Sequence, residues 1–180
     1  MGVMVIEKQL LLDLVDDLYA HSQFCITKDL IQGRCKQLDM RLFEISGCVK
    51  IDSLQNYYRL SMSILKKEVR NNFFDPTRPV LTRVRDEVPV HYGENAVVKN
   101  SLIADGCIIE GSVENCVLFR KVKVAKGAHL KDCIIMEGCE IGENTSLRCV
   151  IADRRCKIGV KRMLAGQQSY PVVIEKESVI

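Results

Sequence analysis

Histidine and cysteine are the residues of this chain that could bind a metal or act as a base or nucleophile. The three histidines, His21, His91 and His129, lie far apart, and none has the i, i+4 partner of a helical metal site. The nine cysteines contain no C-x-x-C, and their odd number without a secretory signal favours reduced thiols over a disulfide framework. We therefore expect no metal site, and cysteines that act as small packed residues, with redox sensing as the alternative.

Basic residues form a second group. The run Arg120-Lys121-Val122-Lys123 is flanked by acids at similar spacing, so we expect it to pair with them. A later group has fewer acids nearby and is our candidate for a phosphorylated effector, an acidic partner or a subunit interface. Its members are Arg154, Arg155, Lys157, Lys161 and Arg162.

Composition excludes several classes of protein. With 180 residues, 47% hydrophobic and 27% charged, the chain has the composition of a globular protein. A net charge of +3 does not indicate a nucleic-acid partner. We expect a cytoplasmic protein, since the first residues lack the basic region of a signal peptide and no apolar run reaches the length of a membrane span.

An internal repeat positions most of these residues. Similar tetrapeptides begin at Asn100, Asn115, Asp132 and Arg148, at a nearly constant spacing. Each is followed by six-residue units with an aliphatic residue first and small residues near the corners, as in Ile141-Gly142-Glu143-Asn144-Thr145-Ser146. Three such units close one triangular coil, and at least about three coils must stack to bury their apolar sides. The sequence therefore predicts a parallel β-helix from about Asn95 onward.

The repeat assigns the cysteines and charges to places in successive coils. We expect Ser101, Cys116, Cys133 and Cys149 to share one place, and Cys107, Val122 and Cys139 a second, with Cys156 one residue out of register. Charges alternate in the same way and would penalise a slipped register. The matching sets are Asp105, Arg120, Glu137 and Asp153, then Lys123 with Glu140, and Lys126 with Glu143.

Helices and one strand are expected before the repeat. Leucines at helical spacing predict a helix over Lys8–Ala20, and Thr27 is expected to cap a second helix that uses Leu30 and Leu38. Residues Arg41–Ile51 alternate as a strand would, and Ser53 is expected to cap a third helix.

Prolines divide the chain. Pro76, Pro79 and Pro89 disfavour helix in the residues before them and mark an extended linker. We therefore expect a small α/β segment over residues 1–74, a linker over 75–94 and the β-helix over 95–180.

Three stretches carry a resemblance to a known family: Ile51–Tyr58, Arg78–Pro89 and Val98–Gly111. They resemble the C-terminal half of ADP-glucose pyrophosphorylase (glucose-1-phosphate adenylyltransferase), in particular its regulatory, GlgD-like branch. The resemblance implies a left-handed β-helix, preceded by the tail of a nucleotidyltransferase domain. It also implies a role in glycogen biosynthesis within a homo-oligomer, or a hetero-oligomer with the catalytic adenylyltransferase subunit.

The same resemblance implies that this chain is not catalytic by itself. Catalytic members have a Gly-rich loop for the nucleotide phosphates, but the glycines before the linker are only Gly2, Gly33 and Gly47. Their W-R-D-[IV]-G-T segment corresponds to Val49–Ser53, where Asp52 occupies the position of the family's glycine and the family's aspartate has no counterpart. Magnesium and ATP are accordingly implied only for the catalytic partner, and no cofactor for this chain.

Two other functions remain open. Hexapeptide acyltransferases work as trimers with a histidine base on the β-helix, and His129 is the residue that could serve here. A purely structural module, whose open end strands pair with another chain, is the third possibility.

Overall fold

The computed structural model describes residues 3–44, 48–82 and 85–180, which form two compact units. The first unit is Met1–Cys48 and the second is Val49–Ile180. The domain boundaries expected at residues 74 and 94 therefore both lie inside the second unit.

The first unit consists of helix α1, Lys8–Ala20, and a π-helix, Ile26–Gln32. The limits of α1 are those expected from its leucine spacing. Its buried face, Leu14 and Leu18, packs against Leu30 of the π-helix. This small cluster is the apolar core of the unit.

Two expectations for the early region are wrong. The second helix begins after Cys25, whose N–H donates to Asp29 Oδ2 at 2.9 Å, so Thr27 lies inside the helix and is not its cap. The strand expected over Arg41–Ile51 is absent from residues 41–44 and 48–51, and residues 45–47 lie outside the described part. Alternation makes a strand only where a neighbour supplies ladder hydrogen bonds, and here Leu42 and Phe43 are exposed.

The second unit opens with two helices, α2 over Leu54–Ser63 and α3 over Lys67–Phe73. Ser53 caps α2 as expected, since its Oγ accepts from the N–H of Asn56 at 3.2 Å. Helix α3 is an addition to the elements expected from the sequence.

Fifteen short strands follow in the part of the chain that the structure describes. The first six are β1 His91–Tyr92, β2 Val97–Lys99, β3 Leu102–Ile103, β4 Ile108–Ile109, β5 Ser112–Glu114 and β6 Val117–Leu118. The next five are β7 Lys123–Val124, β8 His129–Lys131, β9 Ile134–Ile135, β10 Glu140–Ile141 and β11 Ser146–Arg148. The last four are β12 Val150–Ala152, β13 Lys157–Ile158, β14 Met163–Ala165 and β15 Val172–Ile174.

The strands form three parallel five-stranded sheets, to which each coil contributes one strand. Sheet A has the order β1-β4-β7-β10-β13, sheet B β2-β5-β8-β11-β14 and sheet C β3-β6-β9-β12-β15. The expected parallel β-helix of stacked hexapeptide coils is confirmed. Its first strand is β1, so the coils begin within the residues expected to form the linker.

The interior of the β-helix is filled with aliphatic and small side chains. Ile109, Val113 and Leu118 from one coil are fully buried, and their equivalents in the next coils continue each column. Because consecutive coils repeat the same side chains at the same height, the core is a stack of layers with no free edge inside it.

Left-handed corners turn the chain between sheets B and C. Asn100, Asn115, Asp132 and Cys149 all have φ between 42° and 54°. Asparagine and aspartate tolerate this conformation better than other L residues, which explains the first three. In the first two coils the asparagines also pair, since Asn100 Nδ2 donates to Asn115 Oδ1 at 2.8 Å.

The register expected from the sequence is wrong by one residue in the fourth coil, at Cys149. Ile134 pairs with Ile151, whereas the alignment of the tetrapeptides had placed Val150 beside it. Val150, not Cys149, therefore stacks on Cys133, and Cys149 has the same corner position as Asp132 of the coil before. The same shift stacks Cys156 on Cys139, and it stacks Arg154, not Asp153, on Glu137. Sequence similarity had aligned a cysteine with a cysteine, whereas the backbone corner fixes the register.

The shorter first step of the repeat, from Asn100 to Asn115, also has a structural cause. The corner between β4 and β5 has two residues, Glu110 and Gly111, where the later coils have four. A Cβ on Gly111 would lie 2.4 Å from the carbonyl oxygen of Ala128 and 2.8 Å from that of Ala125. Glycine is therefore required for the next coil to pass so closely.

Candidate functional site

The five basic residues singled out in the sequence are spread around the last coil. Arg154 and Arg155 lie at the corner before β13, Lys157 lies in β13, and Lys161 and Arg162 lie at the corner after it. Arg155 pairs with Glu177, and Lys157 Nζ lies 3.8 Å from Glu140. The group thus occupies two corners and one strand rather than a single pocket.

Two lysines of the earlier basic run are paired, as expected, whereas the buried Nε of Arg120 has no hydrogen-bond partner among the described residues. Lys123 Nζ lies 2.9 Å from Glu140 Oε1 in the adjacent coil, and Lys121 Nζ lies 2.8 Å from Glu87 Oε1. Lys123 is the main cause that holds the pKa of the Glu140 carboxyl below its ordinary value, with a smaller effect from Lys157. Charge alternation between coils therefore supports the register, with Glu140 held between two lysines.

Six of the nine cysteines are buried in the β-helix. In one column Ser101 Oγ, Cys116 Sγ and Cys133 Sγ each donate to the carbonyl two residues earlier, at 2.8, 3.1 and 3.1 Å. The thiols of the two cysteines and the hydroxyl of the serine thus donate equivalent hydrogen bonds. The hydrogen bond with Cys116, together with burial, raises the pKa of Cys133, and burial raises that of Cys139 to about 12. These thiols remain protonated, which fits packing rather than nucleophilic chemistry.

His129, the candidate histidine base, lies in strand β8. Its neighbours in the adjacent coils are Ser112 and Ser146. The side chain is exposed, and among the described residues no carboxylate hydrogen-bonds to its ring. This environment lacks the orienting group that a histidine base commonly has.

Helix α2 covers the outer face of sheet C. Tyr58, Ile134 and Ile151 form a buried cluster, with Tyr57 and Met62 packed against it. The hydroxyl of Tyr58 donates to the carbonyl oxygen of Asp132 at 2.7 Å, at the left-handed corner of the third coil. Burial is the main cause that raises the pKa of Tyr58. The helix is thus fixed to the coil by an apolar face and one buried hydrogen bond.

Sequence reasoning missed this packing, although a signal was present. Each repeat has two adjacent aliphatic residues, as in Leu102-Ile103, Val117-Leu118 and Ile134-Ile135. Neighbouring residues of a strand point to opposite faces, so a pair of aliphatics indicates a strand buried on both faces.

Within residues 3–44, 48–82 and 85–180, no three histidine, cysteine or acidic side chains come together as metal ligands would. No helix in the described part of the chain has the length and hydropathy needed to cross a bilayer.

Comparison with known protein families identifies the kind of repeat in the β-helix. Residues 87–168 match the family described as GlmU-like, C-terminal hexapeptide. This range covers β1 to β14, so the family model and the coils coincide.

Matches to individual proteins are more specific than the match to the family model. The chain is 40% identical to the glycogen biosynthesis protein GlgD of Bacillus subtilis, over 91% of this chain and 48% of that protein. It is 41% identical to GlgD of Geobacillus stearothermophilus, over 69% of this chain and 36% of the relative. It is 33% identical to the glucose-1-phosphate adenylyltransferase of Acetivibrio thermocellus, over 95% of this chain and 41% of that enzyme.

The chain is therefore a homologue of GlgD proteins and of the C-terminal region of glucose-1-phosphate adenylyltransferases. It spans about half the length, or less, of these relatives.

Proposed function

We propose that this chain is a regulatory and assembly part of a glucose-1-phosphate adenylyltransferase in glycogen biosynthesis. The observation that carries the proposal is its 40% identity to a GlgD protein over 91% of the chain. In this role it binds the catalytic adenylyltransferase subunit, forms no ADP-glucose by itself and requires no cofactor of its own. Magnesium and ATP are used by the catalytic partner.

The geometry supports a scaffold. The coils are filled by packed columns, and Tyr58 fixes helix α2 to the third coil through a buried hydrogen bond. Rigid stacked coils present a surface of fixed shape, which suits a contact between subunits. Sheets A and B present alternating outward side chains, including the Lys123–Glu140 and Lys131–Glu114 pairs. Such charge patterns set the register and choice of partner more than the affinity.

The segment Val49–Ser53 supports the non-catalytic part of the proposal. In the family that the sequence resembles, catalytic members have a glycine at the position of Asp52, and their aspartate has no counterpart in this segment.

The test is reconstitution with a catalytic glucose-1-phosphate adenylyltransferase from the same organism. We expect size-exclusion chromatography with light scattering to show a complex of the two chains. ADP-glucose formation from ATP and glucose 1-phosphate should be absent with this chain alone and should change when it joins the catalytic subunit. Turnover by the purified chain would overturn the non-catalytic role, and failure to form a complex would overturn the assembly role.

The acyltransferase alternative has a separate test. A His129→Ala variant that abolished CoA-dependent acetylation by the chain would support it. The exposed setting of His129 between two serines gives us no reason to expect such activity.

A further inference from the structure

Residues Arg85–Val88, shortly before β1, lie along the corners between sheets C and A. We call this segment the strap. Its contacts reach three successive coils, and in coil order the pairs are Val88 with Gly106, Glu87 with Lys121, and Arg85 with Glu137. Because the strap passes from coil to coil within a short segment, it crosses the direction of the strands.

The strap contacts the first coil through its backbone. The N–H of Gly106 donates to the carbonyl oxygen of Val88 at 2.7 Å. At the equivalent corner of the third coil, the N–H of Gly138 donates at 2.9 Å to the carbonyl oxygen of Arg120, which belongs to the coil before. Val88 thus takes, at the first coil, the place that a preceding coil has at the later corners.

An ion pair joins the strap to the second coil. Glu87 Oε1 lies 2.8 Å from Lys121 Nζ, and the Glu87 side chain is only 19% exposed. A Cβ on Gly106 would lie 3.3 Å from Lys121 Cγ, so glycine in the first coil leaves room for the pair. Lys121 itself has φ 59°, a left-handed conformation that is unfavourable for lysine. Lysine therefore occupies a strained corner at the point from which its amine reaches the strap.

At the third coil, Glu137 has two arginines as neighbours. Arg85 Nη1 of the strap donates to Glu137 Oε1 at 3.2 Å. Arg120 stacks directly beside Glu137, in the register of β6 and β9. The buried Nε of Arg120 nevertheless has no hydrogen-bond partner in the described part of the chain. A buried donor without an acceptor is unfavourable, so the closed strap leaves Arg120 unsatisfied.

We propose that the strap is a latch that opens by an exchange of partners at Glu137. When Arg85 leaves, Glu137 pairs with Arg120, whose guanidinium then gains an acceptor. The open state thus recovers at one contact part of what it loses at the others, and the strap opens more readily than the coils beneath it. Opening uncovers the corners of the first three coils and frees the chain before β1. This latch does not depend on the proposed assembly role.

Ionic strength shifts the latch in a defined direction. Arg85 and Glu137 are 47% and 37% exposed at the side chain, so salt screens their attraction. The Arg120 Nε is buried, and a pair that includes it is screened less. High salt therefore favours the open strap.

Native-state amide hydrogen exchange of the full chain, followed by NMR, tests the latch. The Gly106 N–H reports on the strap because its acceptor is Val88, and the Gly138 N–H is the internal reference because its acceptor lies within the coils. Between about 20 mM and 0.5 M NaCl, we expect the exchange rate of Gly106 relative to Gly138 to rise about fivefold.

Variants separate the two parts of the proposal. Arg85→Gln and Lys121→Gln each remove an ion pair of the strap and should raise the relative exchange rate of Gly106 about twofold to fivefold. Arg120→Met removes the competing partner of Glu137 and the unsatisfied donor, and should slow Gly106 about twofold or more. The control Arg148→Gln, an exposed cation of sheet B, should leave the ratio unchanged.

Three results would overturn the latch. A ratio of Gly106 to Gly138 exchange that is independent of salt would show that charge does not hold the strap. Unchanged or faster relative exchange of Gly106 in Arg120→Met would exclude the exchange of partners at Glu137. Equal acceleration of Gly106 and Gly138 by salt would show that the coils open together with the strap.

Discussion

Several single residues in this protein act through hydrogen bonds to nearby backbone groups. Ser101, Cys116 and Cys133 each donate to a carbonyl two residues earlier, so these three residues place one polar hydrogen at the same point of the column. Val150, in the fourth coil, has no such hydrogen and fills the place by volume alone. Cysteine suits these positions because its side chain is small and its S–H group is a weak donor. Buried cysteine otherwise behaves as a small hydrophobic residue.

Gly111 gives a prediction at this scale. In a Gly111→Ala variant the new methyl group would overlap the carbonyl oxygens of Ala128 and Ala125, so the third coil would have to move. We expect a loss of about 3 kcal/mol or more in the free energy of unfolding, or failure to fold, as for severe overpacking.

The measurement is urea unfolding followed by circular dichroism, with Gly33→Ala as control. Gly33 has φ −72° and its added Cβ would meet only the carbonyl oxygen of Lys28 at 3.6 Å. The control should unfold like the native chain. Equal stability of the two variants would contradict the close approach at Gly111.

Glu140 gives a pH prediction. Its folded pKa is lowered, mainly by Lys123, so the carboxylate stabilises the fold above its unfolded value of 4.5. That contribution is lost as the pH falls from there through the lower folded value. Because the pair is substantially exposed, Glu140→Gln should cost less than about 1 kcal/mol at pH 7.

Unfolding free energies at pH 7 and near pH 3 test this. The gap between Glu140→Gln and the native chain should close at the lower pH and should shrink in high salt. Glu143→Gln, just after the same strand, is the control and should show a smaller gap at pH 7. A gap for Glu140→Gln that stays constant with pH would exclude the ion pair as its cause.

At the scale of elements, the three sheets are not equivalent. Sheet C has aliphatic side chains on both faces, and α2 covers its outer face around Ile134 and Ile151. The limits of α1 followed from leucine spacing and the start of α2 from its serine cap, because both signals are local. The expected strand near Arg41 did not form in the described residues, since a strand depends on a partner that local alternation cannot supply.

Tyr58 tests how α2 is held. Tyr58→Phe keeps the ring in the apolar cluster but removes the donor to the Asp132 carbonyl and leaves that acceptor without its hydroxyl partner. We expect the free energy of unfolding to fall by about 1–2 kcal/mol. Tyr170→Phe, whose parent side chain is 75% exposed, should be neutral. If the two variants unfold alike, the hydrogen bond contributes nothing and the helix is held by apolar contact alone.

At the scale of the whole molecule, the β-helix divides the cysteines into two chemical groups. Cys25, Cys35 and Cys48 are exposed, whereas the other six are buried in the coils. Burial and neighbouring thiols raise the pKa values of Cys133 and Cys139, which makes their reactive thiolate form rare near neutral pH.

Thiol titration with Ellman's reagent checks this division. At pH 8 the native chain should release colour from three thiols quickly, and the remaining six should react only after unfolding in guanidinium. A Cys25→Ser variant should lower the fast count by one, whereas Cys133→Ser should leave it unchanged. Fast reaction of more than three thiols in the native chain would show that the coils open to solvent.

The sequence by itself determined the coils, since each hexapeptide unit specifies one strand and one corner through contacts between near neighbours. It also determined the family resemblance and the pairing of Lys123 with Glu140. Only the tertiary structure decided that Val150 rather than Cys149 continues the cysteine column, and that Gly111 shortens one coil. It alone placed Tyr58 of helix α2 against Ile134 and Ile151 of sheet C. These features depend on how one coil or helix lies against another that is distant in the chain, and no local pattern encodes that arrangement.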